Sequence, residues 1–233
     1  MSLQVLYEDN HIIAVNKKSG DIVQADITKD EPITEEIKRY IKEKYDKPGA
    51  VFLGVIHRID RPVSGVVLFA KTSKALARMN TLFKNKKIEK TYWAVVKQKP
   101  QEEQGTLIHY HLKDEQRKKA KLFNKEVAHS KVCELDYTLL MSSDNYHLLE
   151  IHPKTGRFHQ IRAQLSKIGS PIKGDLKYGF DRPNADASIH LHARKIEFIH
   201  PVSEKKLEII APAPSENVVW QYFEKNIDKN IAK

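Results

Sequence analysis

Apolar positions recur along this chain in alternating and helical patterns, and those patterns predict most of its elements. Residues 3 to 8 and 11 to 16 read as two short strands around the turn pair Asp9-Asn10. Residues 32 to 45 read as a helix, with Ile37, Tyr40, Ile41 and Tyr45 in one stripe, Thr34 as its N-cap and Glu35 and Glu36 in its first turn. The opposite face carries Lys38, Arg39, Lys42 and Lys44 and reads as solvated. Residues 66 to 71 predict a strand. Ser73 is the expected cap of a second helix, in which Ala75, Leu76, Met79, Leu82 and Phe83 recur at helical spacing. Residues 91 to 97, aromatic and β-branched, predict another strand.

The middle of the chain predicts an antiparallel β region, with strands at 106 to 112, 127 to 140 and 146 to 152 and a turn at 142 to 145. Between the first two lies the basic run 113 to 121, expected as a solvated loop or an arm that tracks phosphates. Residues 156 to 169 read as a turn and then a helix. Ile161, Leu165 and Ile168 form its apolar side, and His159 and Arg162 lie three apart on a neighbouring face. Strands are expected at 189 to 200 and 207 to 210. A last helix at 215 to 224 turns Val218, Val219 and Phe223 inward, and a polar tail at 226 to 233 is expected to fray. No linker cleanly splits the sequence, so a single domain over 1 to 233 is expected, with its core at about 5 to 215.

Composition narrows the class. Of 233 residues, 40% are hydrophobic and 30% charged, which suits a soluble globular protein. No apolar run approaches a membrane span, and the first residues show no secretory pattern, so a cytoplasmic protein is expected. Cys133 is the sole cysteine; it excludes an intrachain disulfide and reads as a small buried residue. The net charge of +10, from 40 Lys and Arg against 30 Asp and Glu, favours a polyanionic partner, RNA or DNA ahead of a membrane surface.

Candidate chemistry concentrates at His57-Arg58-Ile59-Asp60-Arg61, followed by Pro62, Ser64 and Gly65. An acid between two arginines is expected to be ionised, which suits a nucleophile, an ion-pair partner or a general base rather than a general acid. Residue types alone favour a surface turn whose arginines solvate the acid. Elsewhere, His109 with His111 and His190 with His192 each share a strand face, but no acid or cysteine cluster accompanies them, so no metal is expected. No glycine-rich phosphate loop is present, so no nucleotide cofactor is indicated. Asp175 is a possible second carboxylate without a paired-acid context, and Ser64 lacks a nucleophile elbow.

The run His57 to Leu76, HRIDRPVSGVVLFAKTSKAL, resembles the first signature of the RluA-type family of RNA pseudouridine synthases, with Ile59 for the usual Leu and Val63 for the frequent Thr. Lys90-Thr91-Tyr92-Trp93-Ala94-Val95-Val96 resembles the second. Leu148-Leu149-Glu150-Ile151 with Lys154-Thr155-Gly156-Arg157-Phe158-His159-Gln160-Ile161-Arg162 resembles the third, with Phe158 where Thr is more usual, and Pro171 to Asp175 with Tyr178-Gly179 extends it. Lys17-Lys18-Ser19-Gly20 resembles the family's NKPxG turn, with Lys for Pro. The pattern begins almost at residue 1, so no N-terminal S4-like module is expected.

The resemblance implies an α+β pseudouridine synthase fold: a bent, mixed, mostly antiparallel sheet with flanking helices and a central catalytic cleft. It implies isomerisation of specific uridines in tRNA or rRNA without a cofactor; a monomer is expected, with no metal and no membrane partner. Asp60 is the implied catalytic carboxylate, Tyr92 the residue against the base and Arg162 the partner that keeps the carboxylate charged and oriented. Whether Asp60 attacks the sugar, attacks the ring or removes a proton stays open. Arg58, His57, Arg61, Arg157 and His159, with Arg117, Lys118, Lys119 and Lys121 of the basic run, are the candidate RNA contacts. Two rival readings are an RNA-binding module that has lost catalysis, against which Asp60, Tyr92 and Arg162 are all present, and a metal-dependent hydrolase acting on RNA.

Overall fold

The computed structural model describes residues 3–25 and 27–231, with side chains as far as residue 227. Backbone proximity divides the chain into two compact units. One comprises Met1–Lys90 with Ala193–Ala213, the other Thr91–His192 with Pro214–Lys233.

In the first unit, β1 (Val5–Glu8) and β2 (Ile12–Lys17) form the expected hairpin. Asp9 closes it, its carboxylate accepting from the backbone N–H of His11 at 2.7 Å and of Ile12 at 2.8 Å. β2 lies antiparallel to β4 (Ser64–Ala70), from Ile12 opposite Ala70 to Lys17 opposite Gly65. β3 (Gly54–Val55) pairs with the far end of β4, and the order runs β1-β2-β4-β10 (Leu191–Ile199), with β11 (Lys206–Ile210) antiparallel on β10. Every residue of β4 is buried, which is why its sequence is a continuous apolar run rather than an alternating one. Gly65 adopts φ +117°, and a Cβ there would overlap the backbone carbonyl of Ala193, so only glycine lets β10 come this close.

Helix α1 (Ile33–Lys44) buries Ile33, Ile37 and Ile41, spaced four apart. Its start differs from expectation. Pro32 occupies the N-cap, Thr34 lies buried in the first turn, and the Ile33 N–H is satisfied by the Ile22 carbonyl at 2.9 Å instead of by a side-chain cap. Tyr40 and Tyr45 turn their hydroxyls to Glu8 at 3.0 and 2.9 Å, joined there by Lys44 and Lys71. Burial would raise the Glu8 carboxyl, but these four donors overcome it and hold it at about 2. Helix α2 (Ser73–Lys84) is capped one residue earlier than expected, by Thr72 Oγ1, which accepts from the Ala75 N–H at 3.1 Å.

In the second unit the strands run β5 (Ile88–Val96), β9 (His147–Pro153), β8 (Lys131–Ser142), β6 (Gln104–Asp114), β7 (Lys119–Phe123), each antiparallel to the next. The basic run is therefore neither a loop nor an open arm. It forms a β-hairpin, with Lys113 opposite Ala120 and Asp114 opposite Lys119. Residues 127 to 130, expected as strand, make a turn closed by Ser130 N–H to the Val127 carbonyl at 3.0 Å. Helix α3 (Gln160–Lys167) packs on β6 and β7. Helix α4 (Val218–Ile231) is longer than expected and rotated, with Trp220, Phe223 and Ile227 inward and Val218 74% exposed. Asn217 fixes its first turn by accepting from the N–H groups of Val219 and Trp220 at 3.0 and 3.3 Å. The helix continues through much of the expected tail, whose last two residues lie outside those described. The secondary structure is thus the expected α+β mixture, and no described helix is long and apolar enough to cross a membrane.

Candidate active site

Asp60 stands on a turn between β3 and β4 whose apolar neighbours Ile59 and Val63 are buried, 9% and 2% exposed, while Asp60 is half-buried and Arg58 exposed. The turn closes with Val63 N–H on the Asp60 carbonyl at 3.0 Å. It is also tied to the segment after β2. Gly20 N–H donates to the Arg61 carbonyl at 2.9 Å, and the Ser19 hydroxyl to the Pro62 carbonyl at 3.1 Å.

Lys17 completes the tie. It is fully buried, and its Nζ donates to the carbonyls of Lys18 and Asp21 at 2.8 Å each and of Arg61 at 3.2 Å. Burial pushes the ammonium down to about 8, against the pull of the Asp21 and Asp60 carboxylates. Sequence reasoning registered Lys17 only as part of a turn. The signal was its register at the end of β2, facing inward like the apolar residues before it.

His57 supports the same turn from inside. Its Nε2 accepts from the Leu68 N–H at 3.1 Å and its ring stacks on Phe83 at 5.2 Å. Burial, with the nearby Lys90 charge, pushes the imidazole to about 3, so it is neutral at physiological pH and no proton carrier. Arg61 turns its guanidinium to Asp30 at 2.7 Å in an exposed pair, so adjacency to Asp60 in sequence is not what this arginine uses its charge for.

Tyr92 lies on β5 opposite Ile151, half-buried between the buried Thr91 and Trp93. Arg162 is 5% exposed, in the first turn of α3, so it is no surface arginine. It meets Asp175 in a fork, Nε to Oδ2 at 2.7 Å and Nη2 to Oδ1 at 2.9 Å, and the carboxylate itself is 1% exposed. Asp175, in sequence a possible second carboxylate without a paired-acid context, is here the partner of Arg162. The clue was its place right after Gly174, a positive-φ position in the extended third signature. The Arg162 guanidinium also stands 5.1 Å from the Tyr178 ring.

The start of α3 explains how these groups are held. His159 takes the N-cap in the left-handed conformation, φ 52°, outside the helix proper. Gln160 ties the helix start to the preceding turn: its Oε1 accepts from Thr155 Oγ1 at 2.7 Å and Arg157 N–H at 2.9 Å, and its Nε2 donates to the Glu134 carbonyl at 3.0 Å. Tyr178 then links this turn to the basic hairpin. Its hydroxyl accepts from the Ala120 N–H at 2.7 Å and lies 2.9 Å from His159 Nδ1. Lys119 sits 5.1 Å from the Tyr178 ring and Lys113 5.1 Å from the Phe158 ring, itself stacked on His159 at 3.7 Å. Arg117 and Lys118 occupy the exposed hairpin tip, Lys121 pairs with Asp114 at 2.9 Å, and Arg157 is exposed with its Nε on the Val132 carbonyl at 3.1 Å.

The two histidine pairs have other work. His111 contacts the Phe158 carbonyl at 2.8 Å, His109 the Gln164 amide at 3.2 Å, and His190 and His192 both pack on Trp220.

The fold and the sequence both have counterparts among known proteins. The human structure titled RNA Pseudouridylate Synthase Domain Containing 4 matches with a TM-score of 0.76 at 23% identity, covering 94% of this chain and 92% of that one, so the fold is that of a pseudouridine synthase. Residues 11–167 match the family described as RNA pseudouridylate synthase. A tRNA pseudouridine synthase C from Vibrio cholerae is 31% identical over 237 residues, covering 94% of this chain and 93% of the relative. A ribosomal large subunit pseudouridine synthase C from the same organism is 35% identical over 214 residues, covering 89% of this chain but 65% of the relative. The chain belongs to the RNA pseudouridylate synthase family. It spans somewhat under two thirds of that ribosomal relative and nearly all of that tRNA relative.

Proposed function

We propose that this protein isomerises uridine to pseudouridine in RNA, with Asp60 as the ionised carboxylate of the reaction. The glycosidic carbon–nitrogen bond breaks, the same ring rejoins the sugar through carbon, and the proton displaced from that carbon is made good at nitrogen, so no redox or energy cofactor is consumed. The supporting observation is the immobilised turn. Lys17, Ser19, Gly20 and Val63 fix its backbone while Asp60 stays half-exposed at its tip. A carboxylate held this way loses little entropy on meeting its target.

In this reading Asp60 attacks the sugar or the ring, or removes a proton. Tyr92 stacks on the base and assists the final proton removal, and Arg162, braced by Asp175, orients the catalytic carboxylate. A paired uridine is out of reach, so the target is flipped out or lies in a loop, and the exposed Arg58 fills the space it leaves or binds the flanking phosphate. Arg61, Arg157, His159 and the hairpin residues Arg117, Lys118, Lys119 and Lys121 face the phosphates of a tRNA or rRNA, while His57 serves the turn.

The test is pseudouridine mapping of RNA from source cells with and without the gene, together with turnover by purified protein on unmodified tRNA and rRNA transcripts. One or a few uridines should lose their signal in the deletion, and Asp60→Asn should bind RNA but form no product. Normal turnover by Asp60→Asn would remove Asp60 from the mechanism. Unchanged maps with no in vitro product would leave an RNA-binding module as the better reading.

A further inference from the structure

Within the second unit lies a cavity of about 340 Å³ that the reading above does not use. It is lined by Lys173, Arg182, Tyr146, Phe180, Asn184 and Asn217. Its volume is at the low end for small-molecule sites, the scale of a single nucleotide rather than a large cofactor.

The cavity is built rather than incidental. His190, 1% exposed, stacks on Trp220 at 5.3 Å and bridges two amides: its Nδ1 lies 3.0 Å from Asn184 Nδ2, and its Nε2 lies 3.0 Å from Asn217 Oδ1. Asn217 Oδ1 already accepts from the first N–H groups of α4, so His190 Nε2 is the donor there and Nδ1 the acceptor. That tautomer forces Asn184 to present its NH₂ to His190, and hence its oxygen the other way, to Lys173 Nζ at 2.5 Å. Burial together with the Lys173 charge keeps His190 neutral, pushed down to about 4, so the arrangement does not switch near neutral pH. Gly174, at φ +86°, lets the 184–188 loop close in; a Cβ there would stand 2.5 Å from Asn184 Nδ2 and 2.8 Å from the Ser188 carbonyl.

The charge inside is not balanced. Among the described residues neither Lys173 nor Arg182 makes an ion pair; Lys173 has only the neutral Asn184 oxygen. The one acid on the lining, Asp186, spends its Oδ1 on the Ser188 N–H and hydroxyl at 3.1 and 2.7 Å. Burial and the Arg182 charge both disfavour the Lys173 ammonium, against the weaker pull of the Asp186 carboxylate, as expected where two cations share a single acid. Tyr146 is half-buried, and Lys173 Nζ stands 5.6 Å from its ring, so a cation and an aromatic face lie side by side. The chain neighbours add a link to the chemistry: Lys173 and Asp175 flank Gly174, and Asp175 braces Arg162.

We propose that this pocket binds one nucleotide of the RNA flanking the target uridine, with Lys173 and Arg182 holding its phosphate and the Tyr146 ring taking its base. The proposal rests on the RNA reading above and adds a subsite to it. A phosphodiester supplies the missing anion, and a base stacks on a tyrosine without sequence preference.

The experiment measures binding of a ten-residue oligouridylate between about 50 and 200 mM salt, and KM on the RNA that mapping identifies. Lys173→Gln and Arg182→Gln should each weaken binding by roughly tenfold at the low-salt end and lower the slope of log affinity against log salt by about one. Tyr146→Ala should also weaken binding by about tenfold, with rescue by Tyr146→Phe. Lys99→Gln, which removes a charge already paired with Glu103 at 2.7 Å, is the control and should change neither. Arg182 is on the exposed rim, so its variant is not at risk of failing to fold. If wild-type protein binds and modifies RNA but the two cation variants keep its affinity, salt slope and KM, the pocket reading is wrong and the activity reading stands. If wild-type protein neither binds nor modifies RNA, both fall together.

Discussion

Replacing Lys17 with methionine keeps most of the apolar stem and removes the ammonium that ties the Asp60 turn to the strand beside it. Three carbonyls then lose a charged donor inside the fold. Each such bond is worth about 1.5–3 kcal/mol, so the gross loss is roughly 4–9 kcal/mol. The buried charge itself is costly: a shift from 10.5 to about 8 corresponds to about 3 kcal/mol. The difference leaves Lys17→Met about 3 kcal/mol less stable at pH 7, a fall of roughly 6–12 °C in Tm for a chain of this size. The pH dependence has a definite sign. Because the folded pKa lies below the unfolded one, the unfolded chain binds more protons between pH 8 and 10.5. Stability from this group is therefore complete above 10.5 and lost as pH falls through 8. The gap between wild type and Lys17→Met should accordingly widen by up to about 3 kcal/mol from pH 8 to 10.5, measured by urea denaturation. Turnover should fall by about a hundredfold, since the Asp60 turn loses its anchor at the Arg61 carbonyl. A variant as stable and as active as wild type at pH 7, with a gap that stays flat to pH 10.5, would show that the clamp is not what holds the turn.

Two further outcomes follow from buried groups. Asp175→Asn removes the charge from the carboxylate that meets Arg162 in a fork, and should cost about 3 kcal/mol in stability and about a hundredfold in turnover; wild-type values for both, in melting and turnover measurements, would mean Arg162 is positioned by other contacts. His57, held near 3 against an ordinary 6.5, contributes stability that is complete above pH 6.5 and lost as pH falls toward 3, up to about 5 kcal/mol. Acid denaturation of His57→Gln should be correspondingly less steep in that window, and identical slopes for the two proteins would place the imidazole in water.

Where apolar periodicity was strong, the sequence predicted the element and missed only its ends. α1 was visible from Ile37 and Ile41, but its cap was assigned to Thr34 because threonine is a good cap in isolation. A backbone bond from Ile33 to Ile22 made a side-chain cap unnecessary. β7 was hidden for a different reason. Its lysines mask the alternation of Ala120 and Leu122, two small apolar contacts that count only because Ala163 and Tyr178 arrive from elsewhere in the chain. The same holds for the site. The turn carrying Asp60 was readable from adjacent residues, and Cys133 is buried as its setting suggested. Asp175 was not, because an isolated acid acquires its role only from an arginine thirteen residues earlier. Arg61 shows the converse error: proximity in sequence suggested a partner for Asp60, and the side chain goes to Asp30 instead. Local propensity is visible in a single window; a pairing between distant windows is not.

The division of the chain has a consequence for how the protein is made. The first unit is discontinuous, with its strand β10 encoded after the whole of residues 91 to 192. During synthesis β4 emerges early and must wait for its neighbour. At 5–20 residues per second the intervening stretch of roughly 100 residues takes on the order of 5–20 s to translate. Over that interval the apolar edge of β4, shaped by Gly65 to accept another backbone closely, is unpaired, while the β5 to β9 strands can fold as soon as they leave the ribosome. The β5 to β9 strands can therefore pair with one another before β10 is available, and the period of greatest exposure to mispairing ends only when residue 199 is released.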